Sequence, residues 1–309
     1  MSESRTRIAF LGPEGTFTSE TARKAAPDAE RAPRATIAEV ITAVRRGEAQ
    51  LGVVPIENSI EGSVNLTLDE LAFGPPGAYI RDEVTIPITM NLLVRPGTKR
   101  EAIRVVRSHP HALAQCRLWL DENLPHATLE AATSTAEAAR EVADGDDAEA
   151  SLGPRVAAEG VGLEVLVAGI QDYPGNTTRF AVVGDRMHKP TGADKTSVVV
   201  FFGEDRPGLL LRILDEFALR GINLTKIESR PTKQQLGEYC IFIDCAGHVT
   251  DARLGEAMRS VHRHVKELRV LGSYPRADEV REAPPETDTD ASYAQAGSWY
   301  AGLVDEVEH

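Results

Sequence analysis

Gln50-Leu-Gly-Val-Val-Pro-Ile-Glu-Asn-Ser59 begins as a short apolar run and ends in a carboxylate, an amide and a hydroxyl. An apolar run this short, bounded by polar turn residues, reads as a buried strand. Ligands in open α/β sheets bind at the carboxyl ends of such strands, where Glu57, Asn58 and Ser59 fall. The plainer reading is that Asn58 or Ser59 only caps the next helix. A cap needs one such residue, however, and this turn supplies three.

Strand–helix alternation extends on both sides of this run. Arg7-Ile-Ala-Phe-Leu-Gly12 reads as a buried strand ending at a Gly-Pro turn. Thr36 with Glu39 three residues on is a capping box, and the helix it opens carries Ile37, Val40, Ile41 and Val44 on one face. A helix is expected over 64–73 and an extended crossing segment over 79–94. Strands follow at 103–107, 127–131 and 148–152, with helices from about His111, Thr135 and Pro154. Two more strands are expected at 163–170 and 178–183. This alternation argues for parallel sheets covered by helices.

The pattern breaks at a Gly/Pro-containing linker, Arg186-Met-His-Lys-Pro-Thr-Gly-Ala-Asp194. Beyond it, strand, helix, two strands, helix and strand fit within residues 196–274, the ferredoxin-like βαββαβ order. The two helices carry Leu210, Ile213, Leu214 and Phe217, and then Leu254, Met258, Val261, Val265 and Leu268, each set in phase. The segment beyond Arg276 is rich in Pro, Asp, Glu, Thr and Ala, has no apolar period and reads as disordered.

At 309 residues the chain fits two domains or three lobes. Its formal net charge of −13 is concentrated in the tail, which from Arg276 holds nine acidic residues against two basic ones. No basic run suits a nucleic-acid groove. The polar start and brief first apolar run predict neither a signal peptide nor a membrane span, and the expected location is cytoplasmic. Three cysteines, Cys116, Cys240 and Cys245, fit no disulfide framework. There is no phosphate loop, dinucleotide fingerprint, nucleophile elbow or plausible metal pair. Any chemistry is expected to proceed without metal, nucleotide or cysteine nucleophile, and no cofactor is expected.

Polar groups gather at other strand ends. Ser108-His-Pro-His111 ends a strand and opens a helix, and Thr133-Ser-Thr135 precedes another. Hydroxyl-lined helix N-termini serve as caps and as carboxylate sites alike. Asn176-Thr-Thr-Arg-Phe180 enters a strand after a Pro-Gly turn. Its arginine suits bidentate carboxylate binding, with a surface salt bridge as the alternative.

Gly12-Pro-Glu-Gly-Thr-Phe-Thr18, Pro55–Ser59, Ser108-His-Pro110, Thr133–Thr135 and Thr178-Arg-Phe180 occur in the order seen in prephenate dehydratases, which this chain resembles over residues 5–275. The C-terminal region is similar to an ACT domain, with Arg206-Pro-Gly-Leu-Leu210 and Glu228-Ser-Arg-Pro231 standing where that family has its regulatory motifs. The resemblance implies a two-lobed catalytic region of the periplasmic-binding-protein type (type II) over 1–186, with lobe one at about 1–85 and 172–186 and lobe two at about 86–171. A linker over 187–194, an ACT domain over 195–275 and the tail over 276–309 complete the expected organisation.

What the resemblance implies chemically is loss of carbon dioxide and water from prephenate to give phenylpyruvate. The catalytic residues it implies are Thr178, Arg179 and Glu57. The substrate-binding set is Thr16, Asn58, Ser59, Ser108, His109, Gln115, Thr133, Ser134, Thr135, Asn176 and Phe180. Arg179 would hold one carboxylate, and Thr178 would donate a hydrogen bond to the departing hydroxyl. Glu57, or else His109, is the alternative acid. Phenylalanine would act through Gly208, Leu209, Leu210, Asn223, Leu224, Glu228, Ser229, Arg230 and Pro231 in a homodimer or homotetramer. Leu209 stands where the family usually has a small residue, and His111 where glutamine is more usual. Arogenate dehydratase and a non-enzymatic carboxylate sensor are the rival readings. No fused chorismate mutase is expected.

Overall fold

The computed structural model describes residues 6–203, 206–281 and 283–307. The chain divides into two compact units, one of Met1–Glu70 with Val84–Asp185 and one of Leu71–Glu83 with Arg186–His309.

The first unit starts with β1 (Arg7–Leu11), then α1 (Phe17–Ala25), β2 (Glu30–Arg34), α2 (Ile37–Arg45) and β3 (Leu51–Asn58). Helix α1 and strand β2 were not foreseen. The Thr36 capping box is realised almost as drawn. Thr36 Oγ1 accepts from the Glu39 amide at 3.1 Å, and Glu39 Oε2 reaches the Ala35 amide at 3.0 Å. Val40, Ile41 and Val44 of α2 are buried, and Gly52 of β3 lets the helix lie close to the strand. A Cβ at Gly52 would stand 3.0 Å from both Val40 Cγ1 and Val44 Cγ2. Fully burying a side chain such as Ile8 or Phe10 of β1 stabilises the unit by about 1.5–3 kcal/mol.

After the two-residue β4 (Gly62–Ser63) come α3 (Asn65–Phe73), β5 (Tyr79–Pro87) and β6 (Asn91–Val94). The second lobe follows with β7 (Val105–Ser108), α4 (Pro110–Gln115), α5 (Arg117–Asn123), β8 (Thr128–Ala131), α6 (Thr135–Asp144), β9 (Glu149–Gly153), α7 (Arg155–Val161) and β10 (Glu164–Val167). Its sheet runs β10-β6-β9-β7-β8. The chain then returns through β11 (Thr177–Gly184) to lie against β3. The sheets are mixed, not purely parallel as alternation suggested: β11 runs antiparallel to β3, and β6 antiparallel to β9. Both exceptions are strands reached without a helical crossover, which leaves the antiparallel direction open to them.

The second unit holds β12 (Asp194–Phe201), α8 (Leu209–Ala218), β13 (Leu224–Pro231), β14 (Tyr239–Ala246), α9 (Ala252–His264) and β15 (Glu267–Pro275). The order β13-β14-β12-β15 with antiparallel neighbours is the ferredoxin-like arrangement expected. Ile213, Phe217, Leu254, Ala257 and Val261 from the helices close over Val198, Val200, Ile241 and Ile243. This unit also takes in Leu71–Glu83, a segment the sequence reading gave to the first lobe. Lys195 Nζ lies 3.1 Å from Glu83 Oε1, and Arg269 Nη1 donates to the Ala72 and Gly74 carbonyls at 2.6 and 3.1 Å. Gly272 pairs with Ile80, where a Cβ would come within 2.1 Å of the Ile80 carbonyl oxygen.

The tail read as disordered carries a helix, α10 (Asp290–Asp305). Thr289 caps it by accepting from the Ser292 amide at 3.2 Å, and Asp290 Oδ1 accepts from the Ala252 amide at 2.8 Å. None of its residues is buried. Composition ruled out a core here, but a capped, alanine-containing helix needs none of its own once an end is tied down. Among the described residues, no helix is long and apolar enough to cross a membrane.

Candidate active site

Side chains on a strand alternate between faces, and the β3–β11 pair uses this to separate two kinds of polar group. Thr178 lies opposite Asn58 and Arg179 opposite Glu57, and the register then shifts so that Phe180 meets Pro55. Asn58, Pro55, Thr178 and Phe180 line a cleft of about 540 Å³ in the first unit. Glu57 and Arg179 do not line it. They pair with each other, Arg179 Nη2 and Nε standing 2.8 and 3.0 Å from Glu57 Oε2. The cleft lining thus includes neither Arg179, the expected cation for the substrate, nor Glu57, the expected alternative acid. The alternative reading of Arg179, an ion pair, is the one the fold adopts.

On the cleft face, Asn58 is held in one orientation. Its Oδ1 accepts from the Ile60 and Glu61 amides at 2.9 and 3.0 Å. Its Nδ2 must then face the other way, donating to Asn176 Oδ1 at 2.8 Å and to Thr178 Oγ1 at 2.9 Å. Thr178 is 8 % exposed and Asn176 2 %. Asn176 Nδ2 donates in turn to Gln115 Oε1 at 3.3 Å, and Gln115 Nε2 to Glu61 Oε1 at 2.8 Å. With Thr178 Oγ1 already accepting from an amide, its own proton is available to a group in the cleft.

Thr16, His109, Gln115, Thr133, Ser134 and Thr135 line the same cleft. Thr16 and Ser134 are N-caps of α1 and α6, accepting from the Ser19 and Glu137 amides at 3.2 and 3.0 Å. Two helix N-termini thus face the cavity, the arrangement that favours carboxylates. His109 caps the short α4, its Nδ1 accepting from the His111 amide at 3.3 Å. Burial, and next the neighbouring His111, hold the His109 imidazole below its ordinary pKa, with Glu61 opposing. Leu11, Phe17, Ile88, Met90 and Phe180 give the cleft an apolar wall.

Other expected substrate contacts lie elsewhere. Ser108 is fully buried, donating to the Leu152 carbonyl at 2.8 Å, so it ties β7 to β9. Ser59 latches the two strands: its Oγ accepts from the Thr177 amide at 2.9 Å and its own amide donates to the Thr177 carbonyl at 2.9 Å. Asn176 stands behind Asn58, outside the lining. Glu61 and His111, not among the expected site residues, do line the cleft. Glu61 comes from a turn that no local pattern marks, whereas His111 belongs to the strand-end cluster Ser108-His-Pro-His111 noted in the sequence. Burial pushes the Cys116 thiol up to about 12, with Asp172 adding to the effect, which removes it as a nucleophile.

In the second unit, Gly208 takes a left-handed conformation (φ +84°) at the N-cap of α8. With Leu209 it lines a pocket of about 490 Å³ beside Arg206, Arg212, Arg263 and Lys266. Leu210 is 41 % exposed, and Asn223 stands just ahead of β13. Leu224, Glu228, Ser229, Arg230 and Pro231 lie along β13, first in the sheet order. The pocket at Gly208 and Leu209 includes no described residue of β13. Arg230 is largely buried, its guanidinium 6.0 Å from the Phe242 ring centroid, and Glu228 pairs with Lys226 at 3.4 Å.

Comparison with known proteins agrees with this layout. A family model described as prephenate dehydratase matches residues 8–188, and an ACT domain model matches residues 197–263. A prephenate dehydratase from Mycolicibacterium vanbaalenii is 43 % identical over 313 residues, covering 96 % of this chain and 97 % of that protein. The solved structure of a prephenate dehydratase from Arthrobacter aurescens in complex with L-Phe superposes with a TM-score of 0.88 at 44 % identity, covering 97 % of this chain and 100 % of that one. A structure described as GqqA, a novel type of quorum-quenching acylase, gives a TM-score of 0.78 at 29 % identity, covering 87 % of this chain and 97 % of that one. With both models falling on the two units found in the fold, and relatives matching nearly end to end, this chain belongs to the prephenate dehydratase family.

Proposed function

We propose that this chain converts prephenate to phenylpyruvate, with Thr178 the donor to the departing hydroxyl, and that phenylalanine restrains it through the ACT domain. The observation that carries the catalytic assignment is the hydrogen bond from Asn58 Nδ2 to Thr178 Oγ1, which leaves the threonine proton for the cleft. As the ring carboxylate leaves as carbon dioxide, its electron pair enters the ring and the carbon–oxygen bond at the opposite carbon breaks. The dianion becomes the phenylpyruvate anion plus hydroxide, and one proton converts that hydroxide to water. A threonine hydroxyl is too weak an acid to deliver that proton unaided, so Thr178 stabilises the leaving oxygen by an oriented hydrogen bond. The helix N-termini at Thr16 and Ser134 hold the carboxylates, and Phe180 and Met90 face the ring.

Phenylalanine binds where Gly208–Leu210 of one ACT domain meets Asn223, Leu224 and Glu228–Pro231 of another, in a homodimer or homotetramer in the cytoplasm. Support comes from the exposure of Leu210, the position of β13 at the end of the sheet order, and the L-Phe described for the 44 % identical relative. The test is phenylpyruvate formation from prephenate, with and without phenylalanine, beside Thr178→Ala. Turnover that falls about 10²–10³-fold in the variant and is suppressed by phenylalanine is the expected result. Turnover unaffected by the substitution removes Thr178 from the chemistry, and activity on arogenate alone transfers the reading to the amino counterpart.

A further inference from the structure

Thr178 Oγ1 stands at the end of a line of side-chain amides that begins in the second lobe. Gln115, on α4, donates from Nε2 to Glu61 Oε1 at 2.8 Å, which leaves its Oε1 for Asn176. Asn176 Nδ2 donates to that oxygen at 3.3 Å, so Asn176 Oδ1 faces Asn58 and accepts from its Nδ2 at 2.8 Å. The remaining N–H of Asn58 meets Thr178 Oγ1 at 2.9 Å. From the opposite side the Ile60 and Glu61 amides hold Asn58 Oδ1, so both ends of the line demand one orientation of every amide in it. Asn176, the buried middle member, has its backbone fixed as well. Its carbonyl accepts from the Ile88 amide at 2.7 Å, and the next residue, Thr177, is latched to Ser59.

We propose that Asn176 is a positioning residue for the dehydration: it lies outside the cleft lining and sets, through Asn58, the direction from which Thr178 Oγ1 is held. The proposal rests on the prephenate reading with Thr178 as the donor. The Asn58 amide has two N–H groups to place. With Asn176 Oδ1 present, one is taken and the other is left for the threonine oxygen. Without it a buried N–H has no acceptor, a costly state that the amide relieves by rotating. Thr178 then loses the aligned hydrogen bond that keeps its own proton aimed into the cleft. The turn amides still hold Asn58 Oδ1, so the loss is smaller than that of removing Asn58 itself. The plainer role for Asn176 is a satisfied buried amide that only supports the fold, and that role acts on turnover independently of Asn58.

The experiment is a double-mutant cycle on the full chain with prephenate: wild type, Asn176→Ala, Asn58→Ala and the two combined, with kcat and KM measured separately. Asn176→Ala should lower kcat about 5–20-fold and leave KM within about twofold, the pattern of a group that serves the reacting geometry and not binding. Added to Asn58→Ala it should lower kcat by no more than about twofold further, because residues that act through one another are not additive. A role in the fold alone reduces the active fraction in both backgrounds and makes the losses multiply. Multiplied losses, wild-type kcat in either single variant, or a loss confined to KM each overturn the proposal. Asn176→Ser, which keeps a polar side chain at the buried position, completes the same cycle if the alanine variant does not fold. A wild type that makes no phenylpyruvate fails the prephenate reading itself.

Discussion

The two faces of the β3–β11 pair hold residues that are neighbours in sequence and do unrelated work. On one face Asn58 and Thr178 share a hydrogen bond of 2.9 Å at the edge of a cleft. One residue away on each strand, Glu57 and Arg179 close an ion pair of 2.8 Å and do not line the cleft. The cleft face spends its hydrogen bonds on aiming a single hydroxyl, whereas the other face ties the returning strand to the first lobe. A charged residue inside a conspicuous motif can thus form a strand-to-strand ion pair, and the neutral residue beside it can be the one that lines the cleft.

Breaking each face separately should separate their effects on turnover. The largest effect after Thr178→Ala itself belongs to Asn58→Ala, which removes the donor that orients Thr178. Turnover should fall about 10–100-fold, the scale on which small misplacements of a reacting group act. The same change leaves Asn176 Oδ1 without its Asn58 donor and should cost about 1–3 kcal/mol in a denaturant titration. A variant of wild-type turnover would detach Asn58 from the chemistry.

On the other face, Arg179→Gln should lower stability by about 1 kcal/mol, discounted because Glu57 remains 36 % exposed, and should change turnover less than about threefold. A hundredfold loss of activity at unchanged stability would restore Arg179 to the substrate site. The smallest effect on turnover in this series belongs to Thr36→Ala, remote from both faces. Loss of its hydrogen bond to the Glu39 amide should cost about 0.5–2 kcal/mol, read as a shifted denaturation midpoint with turnover of the folded protein unaltered.

Much of the architecture was legible locally. The Thr36–Glu39 capping box, the in-phase Ile213 and Phe217 of α8 and Leu254, Met258 and Val261 of α9, and the βαββαβ order of the second unit all rest on interactions a few residues apart. Val265 and Leu268, expected on the same helix face, fall beyond its end, and Leu268 joins β15. Helix α1 is not legible in the sequence because its stretch, Phe17-Thr-Ser-Glu-Thr-Ala-Arg-Lys-Ala25, is mostly polar. Its helicity comes from the Thr16 cap and from Ala22, buried in the first unit's core. Tail helix α10 was missed for a related reason: its end is anchored by Asp290 to an amide 38 residues earlier in the chain.

For the site, motif order sufficed to name Asn58, Thr178 and the hydroxyl-bearing helix starts at Thr16 and Ser134, since strand ends and caps announce themselves through residue type and spacing. Which face each side chain takes was decided by pairing between segments about 120 residues apart, where a shift between Arg179 and Phe180 sets the register. That pairing set Arg179 on the face opposite Thr178 and made Ser59 a latch between the two strands, while the packing of β7 on β9 set Ser108 in the framework. Local patterns record what a residue can do, but a one-residue step along a strand reverses where it points, and only long-range packing sets that step.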